Sequence, residues 1–163
     1  MTHNASLDYK AKAFTIGVTI VFAILIIGQA SLITDEGRRT PVYTTALCLT
    51  IYCFSLLFKT SGYEIDENRL IIKRWIFDVK INKEDILTID RVEKWRFTTG
   101  IRFFGMSRLF GYYGEYLFAG YGPCDLYITR RDSMVLITTK NKKRIVVSPD
   151  DRSKFIAQLK GII

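Results

Sequence analysis

Two long apolar runs near the start of the chain precede a region of shorter runs in which apolar and polar residues alternate. The first apolar run, residues 13–33, contains no charged side chain. As a helix rising about 1.5 Å per residue, it is long enough to cross a hydrocarbon layer of roughly 30 Å. The alternative is a signal peptide, whose apolar region is about 7 to 15 residues and ends at a small-residue cleavage site. The closing QASLI fits that pattern poorly, so the run predicts a membrane-spanning helix.

The second run, residues 42–58, is also uncharged and lies near the lower limit of roughly 17 residues for a membrane span. Between the runs, residues 34–41 (TDEGRRTP) contain Gly and Pro, which end one helix and permit the next to begin. A pair of core helices in a soluble domain is the alternative, but such helices normally have a polar face. The pattern therefore predicts a transmembrane hairpin, 13–33 and 42–58, after a mobile N-terminal tail, 1–12.

The distribution of cations near the predicted spans sets the expected orientation, because cytoplasmic flanks are enriched in Lys and Arg. Only two cations, Arg38 and Arg39, lie between the predicted spans. We therefore expect both termini to be cytoplasmic. The cations on the cytoplasmic side are Lys10, Lys12, Lys59, Arg69, Lys73 and Arg74.

Beyond the second span, the alternating pattern predicts strands. Residues 62–81 form two runs around a polar turn at 66–68. In the second run, Leu70, Ile72 and Ile76 are expected on one face and Trp75 on the other. Residues 86–97 are predicted to form a further strand.

The last part of the chain contains three short runs rich in β-branched residues, DLYITRRD, SMVLITTK and KRIVVS. Their spacing predicts an antiparallel meander. A helix should follow, with Ser148 as N-cap and Pro149 at the first helical position. Its predicted apolar stripe consists of Phe155, Ile156 and Leu159.

Residues 106–122 (MSRLFGYYGEYLFAGYG) combine aromatic residues with glycines. The segment is expected either to meet the membrane or a partner, because aromatic side chains are favoured at the headgroup level, or to form further strands with alternate aromatics in the core. A hairpin with aromatics on both faces could do both. The candidate partner or membrane contacts are Phe110, Tyr112, Tyr113, Tyr116, Phe118 and Tyr121.

Several of these segments together resemble the bacterial pleckstrin-homology-like domains that follow N-terminal transmembrane helices. The resemblance covers residues 62–159, and its most specific parts are RLFGYYGEYLFAGYG and the SPDD before the final helix. It implies a mainly-β pleckstrin-homology-like barrel over 62–163, capped by a C-terminal helix, at the bacterial cytoplasmic (inner) membrane. Eukaryotic relatives often bind phosphoinositides through a basic first hairpin loop, whereas the corresponding turn here is DEN.

The positive net charge of the chain indicates a second kind of contact, with anionic lipid. The chain has 24 Lys and Arg against 16 Asp and Glu, a net charge of +8. Each cation near an anionic membrane contributes about 1 kcal/mol of attraction. A solvated turn is the alternative reading of the densest cluster, and nucleic acid is not expected because stacking aromatics do not accompany it. The candidate anionic-lipid contacts are Arg102, Arg108, Lys140, Lys142, Lys143 and Arg144.

The sequence offers little for catalysis. It lacks the GxxxxGK[ST], HExxH and GxSxG motifs, and His3 is its one histidine. We therefore expect no enzyme activity, no cofactor and no metal. The prediction is a membrane-anchored, non-catalytic binding module that acts as a protein-interaction or assembly subunit, with a membrane or cytoplasmic protein or a second copy as partner. Direct binding of anionic lipid is the alternative.

Overall fold

The computed structural model of the chain describes residues 1–30, 40–92, 101–107, 109–118 and 120–161. Two helices, α1 and α2, are followed by a β-rich region and a third helix, α3. The elements in chain order are β1 Thr2–Asn4, α1 Tyr9–Ala30, α2 Thr40–Leu57, β2 Thr60–Ile65, β3 Arg69–Arg74, β4 Val79–Asn82, a 3₁₀ turn Lys83–Asp85, β5 Ile86–Arg91, β6 Ile101–Ser107, β7 Tyr112–Phe118, β8 Gly122–Ile128, β9 Val135–Thr139, β10 Arg144–Val147 and α3 Arg152–Lys160.

Helices α1 and α2 lie side by side. The Thr19 Oγ1 and Tyr52 OH atoms are 2.7 Å apart, and the rings of Phe22 and Tyr52 are in contact at 5.2 Å between centroids. Among the described helices, only α1, over Tyr9–Gly28, is long and apolar enough to cross a membrane, and α2 contains a shorter apolar stretch, Val42–Leu57. Most of the predicted turn 34–41, with Arg38 and Arg39, lies outside the described residues.

The strands form two sheets, with the order β1-β2-β3-β4 in the first and β5-β9-β10-β8-β7-β6 in the second. The 3₁₀ turn Lys83–Asp85 leads the chain from β4 of the first sheet into β5 of the second. Over the described ranges no ladder joins the sheets. The architecture is therefore two helices followed by a β-rich region and a C-terminal helix, and the sheets do not close into the expected barrel.

The predicted meander of the last three strands is wrong in one respect. β9 and β10 form the expected antiparallel hairpin, but β10 also pairs with β8 in parallel, so β10 lies between β8 and β9. Strand directions and side-chain alternation are the same in both arrangements. Local patterns therefore cannot distinguish them.

The predicted mobile tail is also wrong, because its first residues form a strand. β1 pairs antiparallel with β2, placing Thr2 opposite Glu64 and His3 opposite Tyr63. His3 is buried, its Nε2 lies 2.7 Å from Gln158 Oε1, and its ring meets the Phe155 ring edge to face. The tail is thus part of the domain that follows the helices.

Two apolar clusters form the core, one on each face of the second sheet. The first combines both sheets with α3 and includes Leu70, Ile72 and the predicted stripe Phe155, Ile156 and Leu159. The second contains β7 and β8 side chains, and it extends to Ala11 in the first turn of α1. β9 and β10 are buried on both faces, which explains their continuous apolar runs.

Two local predictions need correction. The N-cap of α3 is Asp151, whose carboxylate accepts a hydrogen bond from Lys154 N at 3.0 Å, because the Ser148 hydroxyl instead accepts from Thr129 N at 2.9 Å. β3 ends at Arg74, so Ile76 lies in the following turn and is exposed rather than buried with Leu70.

Candidate contact surfaces

The first sheet has two distinct ends, defined by where the helices join it. β1 runs into α1, and β2 begins just after α2, with Thr60 opposite Arg74 on β3. We call this the helix-side end. The other end carries the β2–β3 turn at 66–68, and we call it the helix-distal end.

The second sheet follows the same polarity. At the helix-side end, Asp8 N donates to Thr129 O just after β8, at 3.1 Å. At the helix-distal end, Lys140 N donates to Asp85 O at 2.8 Å, and Lys83 N donates to Asn68 O at 3.1 Å. The β9–β10 turn therefore lies beside the β2–β3 turn, at the end opposite the helices.

The Gly/aromatic segment, residues 106–122, contains the turn between β6 and β7 and the whole of β7, and this turn touches both apolar helices. Phe110 N donates to Thr15 Oγ1 of α1 at 3.1 Å, and the Phe110 ring lies 5.5 Å from the Tyr52 ring of α2. Phe110 and Gly111 have φ angles of 56° and 127°, the left-handed region in which glycine is favoured. The glycine thus permits a tight turn that brings the phenylalanine against the helices.

Tyr113 makes the second contact between the β6–β7 hairpin and the helices. Its ring stacks on Phe58 with centroids 5.6 Å apart, and its hydroxyl lies 3.5 Å from Ser55 O. Burial raises the pKa of Tyr113 to about 12, although the nearby Arg74 guanidinium opposes that rise. The hairpin therefore fixes the β-rich region against the ends of both helices.

The remaining aromatic candidates lie mostly in the core. Tyr112, Tyr116 and Phe118 belong to the second apolar cluster, while Tyr121 is half-buried and its carbonyl accepts a hydrogen bond from the Arg144 guanidinium. The side chains of the buried aromatics pack within this chain, and their role as partner or membrane contacts stays a prediction. The buried candidates are Phe110, Tyr112, Tyr113, Tyr116 and Phe118.

Three of the candidate lipid contacts lie together in one turn of the second sheet. Lys140, Lys142 and Lys143 are exposed in the β9–β10 turn, where Lys142 has a φ angle of 60°. Lys143 Nζ lies 2.9 Å from Asp125 Oδ2, and this hydrogen bond raises the pKa of Lys143. The Arg102 side chain and Arg108 lie outside the described residues.

A polar network at the helix-side end was not predicted from the sequence. The Arg130 guanidinium binds Asp132 and Asp150, with a distance of 3.2 Å to Asp150 Oδ1. Asp150 also accepts hydrogen bonds from Ser6 N at 3.0 Å and Ser6 Oγ at 2.6 Å. Because Ser6 lies more than a hundred positions from its partners, no local motif could have revealed this link between the N-terminal segment and the domain.

Chemistry that would indicate a metal or redox site is not evident in the described part of the chain. No group of three His, Cys, Asp or Glu side chains there is placed to hold a metal ion. Cys48, Cys53 and Cys124 are free thiols, and burial raises the pKa of Cys124 to about 11. Cys124 is therefore a core residue with little thiolate at neutral pH.

Comparison with known proteins identifies the β-rich region. The family model described as Bacterial PH domain matches residues 61–163, well over half of the chain. The match begins within β2, so β1, α1 and α2 precede it. No curated protein and no solved structure matches the chain.

Proposed function

The chain belongs to the bacterial PH domain family, and we propose that it is a membrane-anchored, non-catalytic binding module. In this proposal α1 and α2 cross the bacterial cytoplasmic membrane as a hairpin, and both termini are cytoplasmic. The PH domain serves as a protein-interaction or assembly subunit at the membrane surface.

The pairing of β1 with β2 supports a hairpin. β1 precedes α1 and β2 follows α2, yet His3 and Tyr63 are opposite one another in a single sheet. Since both strands belong to one folded domain, a membrane crossing by α1 requires α2 to return. The apolar stretch Val42–Leu57 is short for a span, and a bilayer adapts to a short helix by local thinning.

The surface of both helices also supports membrane insertion. Only 6% of the apolar window in Tyr9–Gly28 is buried. Large apolar side chains on both helices, such as Ile24, Ile27 and Phe54, are more than half exposed. In water this surface would be strongly unfavourable, whereas a bilayer covers it.

The observation that carries the proposed binding role is the opposite placement of the helices and the β9–β10 turn. Strands β7 and β9 run between the two ends and are seven and five residues long. At 3.3 Å per residue, the two ends are therefore about 17 to 23 Å apart. Lys140 and Lys142 therefore face away from the membrane that holds the helices. Exposed cations at that position favour a protein partner with an acidic surface over lipid of the same membrane.

The partner proposal can be tested in intact cells with the full-length chain. We compare the proteins that copurify with wild type, with Lys140→Glu/Lys142→Glu, and with a control, Lys154→Glu/Lys160→Glu, that makes the same charge change on α3. The proposal predicts a partner that is lost from the first variant and retained by the control. Equal recovery of all copurifying proteins from both variants would contradict the role of the helix-distal lysines.

The lipid alternative has its own test. The full-length chain is reconstituted into neutral vesicles, which are then mixed with separate phosphatidylglycerol vesicles. We expect no clustering of the two populations. Clustering that is abolished by Lys140→Glu/Lys142→Glu and retained by the α3 control would favour direct binding of anionic lipid instead.

A further inference from the structure

The turn between β3 and β4 exposes three consecutive large apolar side chains. Trp75, Ile76 and Phe77 are 66%, 51% and 71% exposed. Isolated exposed apolar residues are ordinary, but a contiguous group that includes Trp and Phe indicates a surface that contacts another molecule or a membrane. The buried aromatics of the β6–β7 hairpin do not belong to this exposed group, because they pack within the chain.

This turn, which we call the Trp75–Phe77 tip, projects from the helix-side end. Arg74, the residue before it, is the cross-strand partner of Thr60, which lies three positions after the end of α2. The Arg74 guanidinium also lies 4.9 Å from the centre of the Phe58 ring. β3 runs toward the helices and β4 runs away from them, so the tip is placed at the level where α2 ends.

The residues around the tip match the chemistry of a membrane interface. Tryptophan is enriched at that depth, where its apolar ring and its N–H group are both accommodated. Lys73 and Lys80 flank the tip and can remain near lipid phosphates, whereas the Arg74 guanidinium packs on the Phe58 and Tyr127 rings. Two acidic side chains lie near the tip, and both are paired. Glu64 Oε2 lies 3.2 Å from Lys73 Nζ, and Asp78 lies 3.3 Å from the same atom and accepts a hydrogen bond from Arg74 N at 2.9 Å.

We propose that the Trp75–Phe77 tip inserts into the headgroup layer of the same membrane that holds α1 and α2. This inference rests on the proposed transmembrane hairpin. Two helices and one inserted tip are three separate points of attachment, and three points fix the tilt of the domain. The helix-distal turns are thereby held away from the bilayer in a defined orientation.

The depth of Trp75 can be measured directly, because the chain has only one other tryptophan, Trp95. The full-length Trp95→Phe variant is reconstituted into vesicles whose acyl chains carry bromine at shallow or deep carbons. We expect blue-shifted emission from Trp75, quenching that is strongest with the shallow bromines, and little quenching by iodide. The matched control, Glu67→Trp/Trp75→Phe/Trp95→Phe, places the tryptophan in the exposed turn at the opposite end of the same sheet and should show the reverse.

The outcomes separate this inference from the proposed function. A chain that resists alkaline carbonate extraction but whose Trp75 is quenched only by iodide would overturn the tip and leave the helical anchor in place. Blue-shifted emission without bromine quenching would mean that another protein or a second copy covers the tip, which also overturns it. Removal of the chain by carbonate would overturn both proposals.

A second probe keeps the test independent of Trp95. A nitrobenzoxadiazole label is attached at Phe77→Cys in a full-length chain whose three native cysteines are replaced by alanine. Its fluorescence should rise on reconstitution into vesicles, and the same label at Glu67→Cys should not respond. Equal responses at the two positions would overturn the inserted tip.

Discussion

His3 and Tyr63 lie opposite one another in adjacent antiparallel strands, although both apolar helices separate them along the chain. The backbone of Ile65 adds to this link, since Ile65 N donates to Met1 O at 2.8 Å. The N-terminal strand therefore completes a sheet of the domain. A fragment that begins at residue 62 would lack that strand and would expose the edge of β2.

Gly62 provides the first prediction, because a side chain there would collide with β1. A Cβ atom at Gly62 would lie 2.9 Å from His3 O, a backbone atom that cannot move without disturbing the strand. Gly62→Ala should destabilise the domain by about 1–3 kcal/mol. Thermal unfolding of the full-length chain in detergent measures this change, at about 2–4 °C per kcal/mol for a chain of this size. Ser61→Ala, at an exposed neighbour, is the control, and equal melting temperatures for the two variants would show that β1 does not pack as described.

Tyr63 provides the second prediction, through its buried hydroxyl. The hydroxyl donates to Tyr127 O at 2.6 Å and accepts from Ser148 N at 2.9 Å. Tyr63→Phe leaves both backbone groups without this partner and should cost about 1–3 kcal/mol. The exposed Tyr9 gives the control variant, Tyr9→Phe. If both variants unfold at the wild-type temperature, the hydroxyl does not link the two sheets.

Asp150 provides a prediction about pH. Burial acts to raise its pKa, but hydrogen bonds from Ser6 and the Arg130 guanidinium outweigh burial and lower the pKa. A pKa below the unfolded value of about 3.9 means that the carboxylate stabilises the fold above that pH, and that this stabilisation is lost as the pH falls through the folded pKa. Asp150→Asn should therefore lower the melting temperature at pH 7, and the difference from wild type should shrink below about pH 4. A difference that stays constant down to pH 3 would contradict the assignment.

Tyr113 provides a prediction about the junction between the domain and the helices. Tyr113→Ala removes the ring that stacks on Phe58 and should cost about 3 kcal/mol. Leu117→Ala, at a more exposed position of the same strand, should cost much less. The comparison uses thermal unfolding of the full-length chain. Equal losses would mean that the stacked pair contributes nothing specific to the junction.

Much of the local structure could be predicted because it depends on short-range pattern. The two uncharged runs form most of α1 and α2, and the polar turn 66–68 separates β2 from β3. The buried face of α3 consists of the predicted residues Phe155, Ile156 and Leu159. In each case, neighbouring residues determine which conformation is favourable. The predictions that were wrong concern residues whose partners are far away in the sequence.

β1 shows why structure that depends on distant residues could not be predicted from the local sequence. Its residues, THN, have no apolar alternation, and the strand exists because the edge of β2 offers unpaired backbone groups. Ser148 shows the same limit, since it has the residue type of an N-cap but its hydroxyl is used by Thr129 and Arg130. The apolar Trp75–Phe77 tip looked like a continuation of β3 because apolar residues run on past the end of that strand.

The candidate surfaces were predicted by residue type but not by position. Of the aromatics in residues 106–122, Phe110 and Tyr113 lie beside the apolar helices and contact α1 and α2 of the same chain. Tyr121 lies at the opposite end, where its carbonyl accepts a hydrogen bond from Arg144. The lysines at 140–143 are exposed as expected for a turn. Their location at the helix-distal end follows from the order of the strands, which the local pattern does not contain.

Labelling of single cysteines in intact spheroplasts tests the proposed membrane hairpin of α1 and α2. In a cysteine-free full-length chain, Thr2→Cys and Asn68→Cys precede and follow the two helices, and Glu36→Cys lies in the predicted turn between them. If α1 and α2 form this hairpin, an impermeant maleimide labels only position 36 in intact spheroplasts and labels positions 2 and 68 after permeabilisation. Labelling of position 2 or position 68 before permeabilisation, or protection of position 36, would contradict the proposed hairpin.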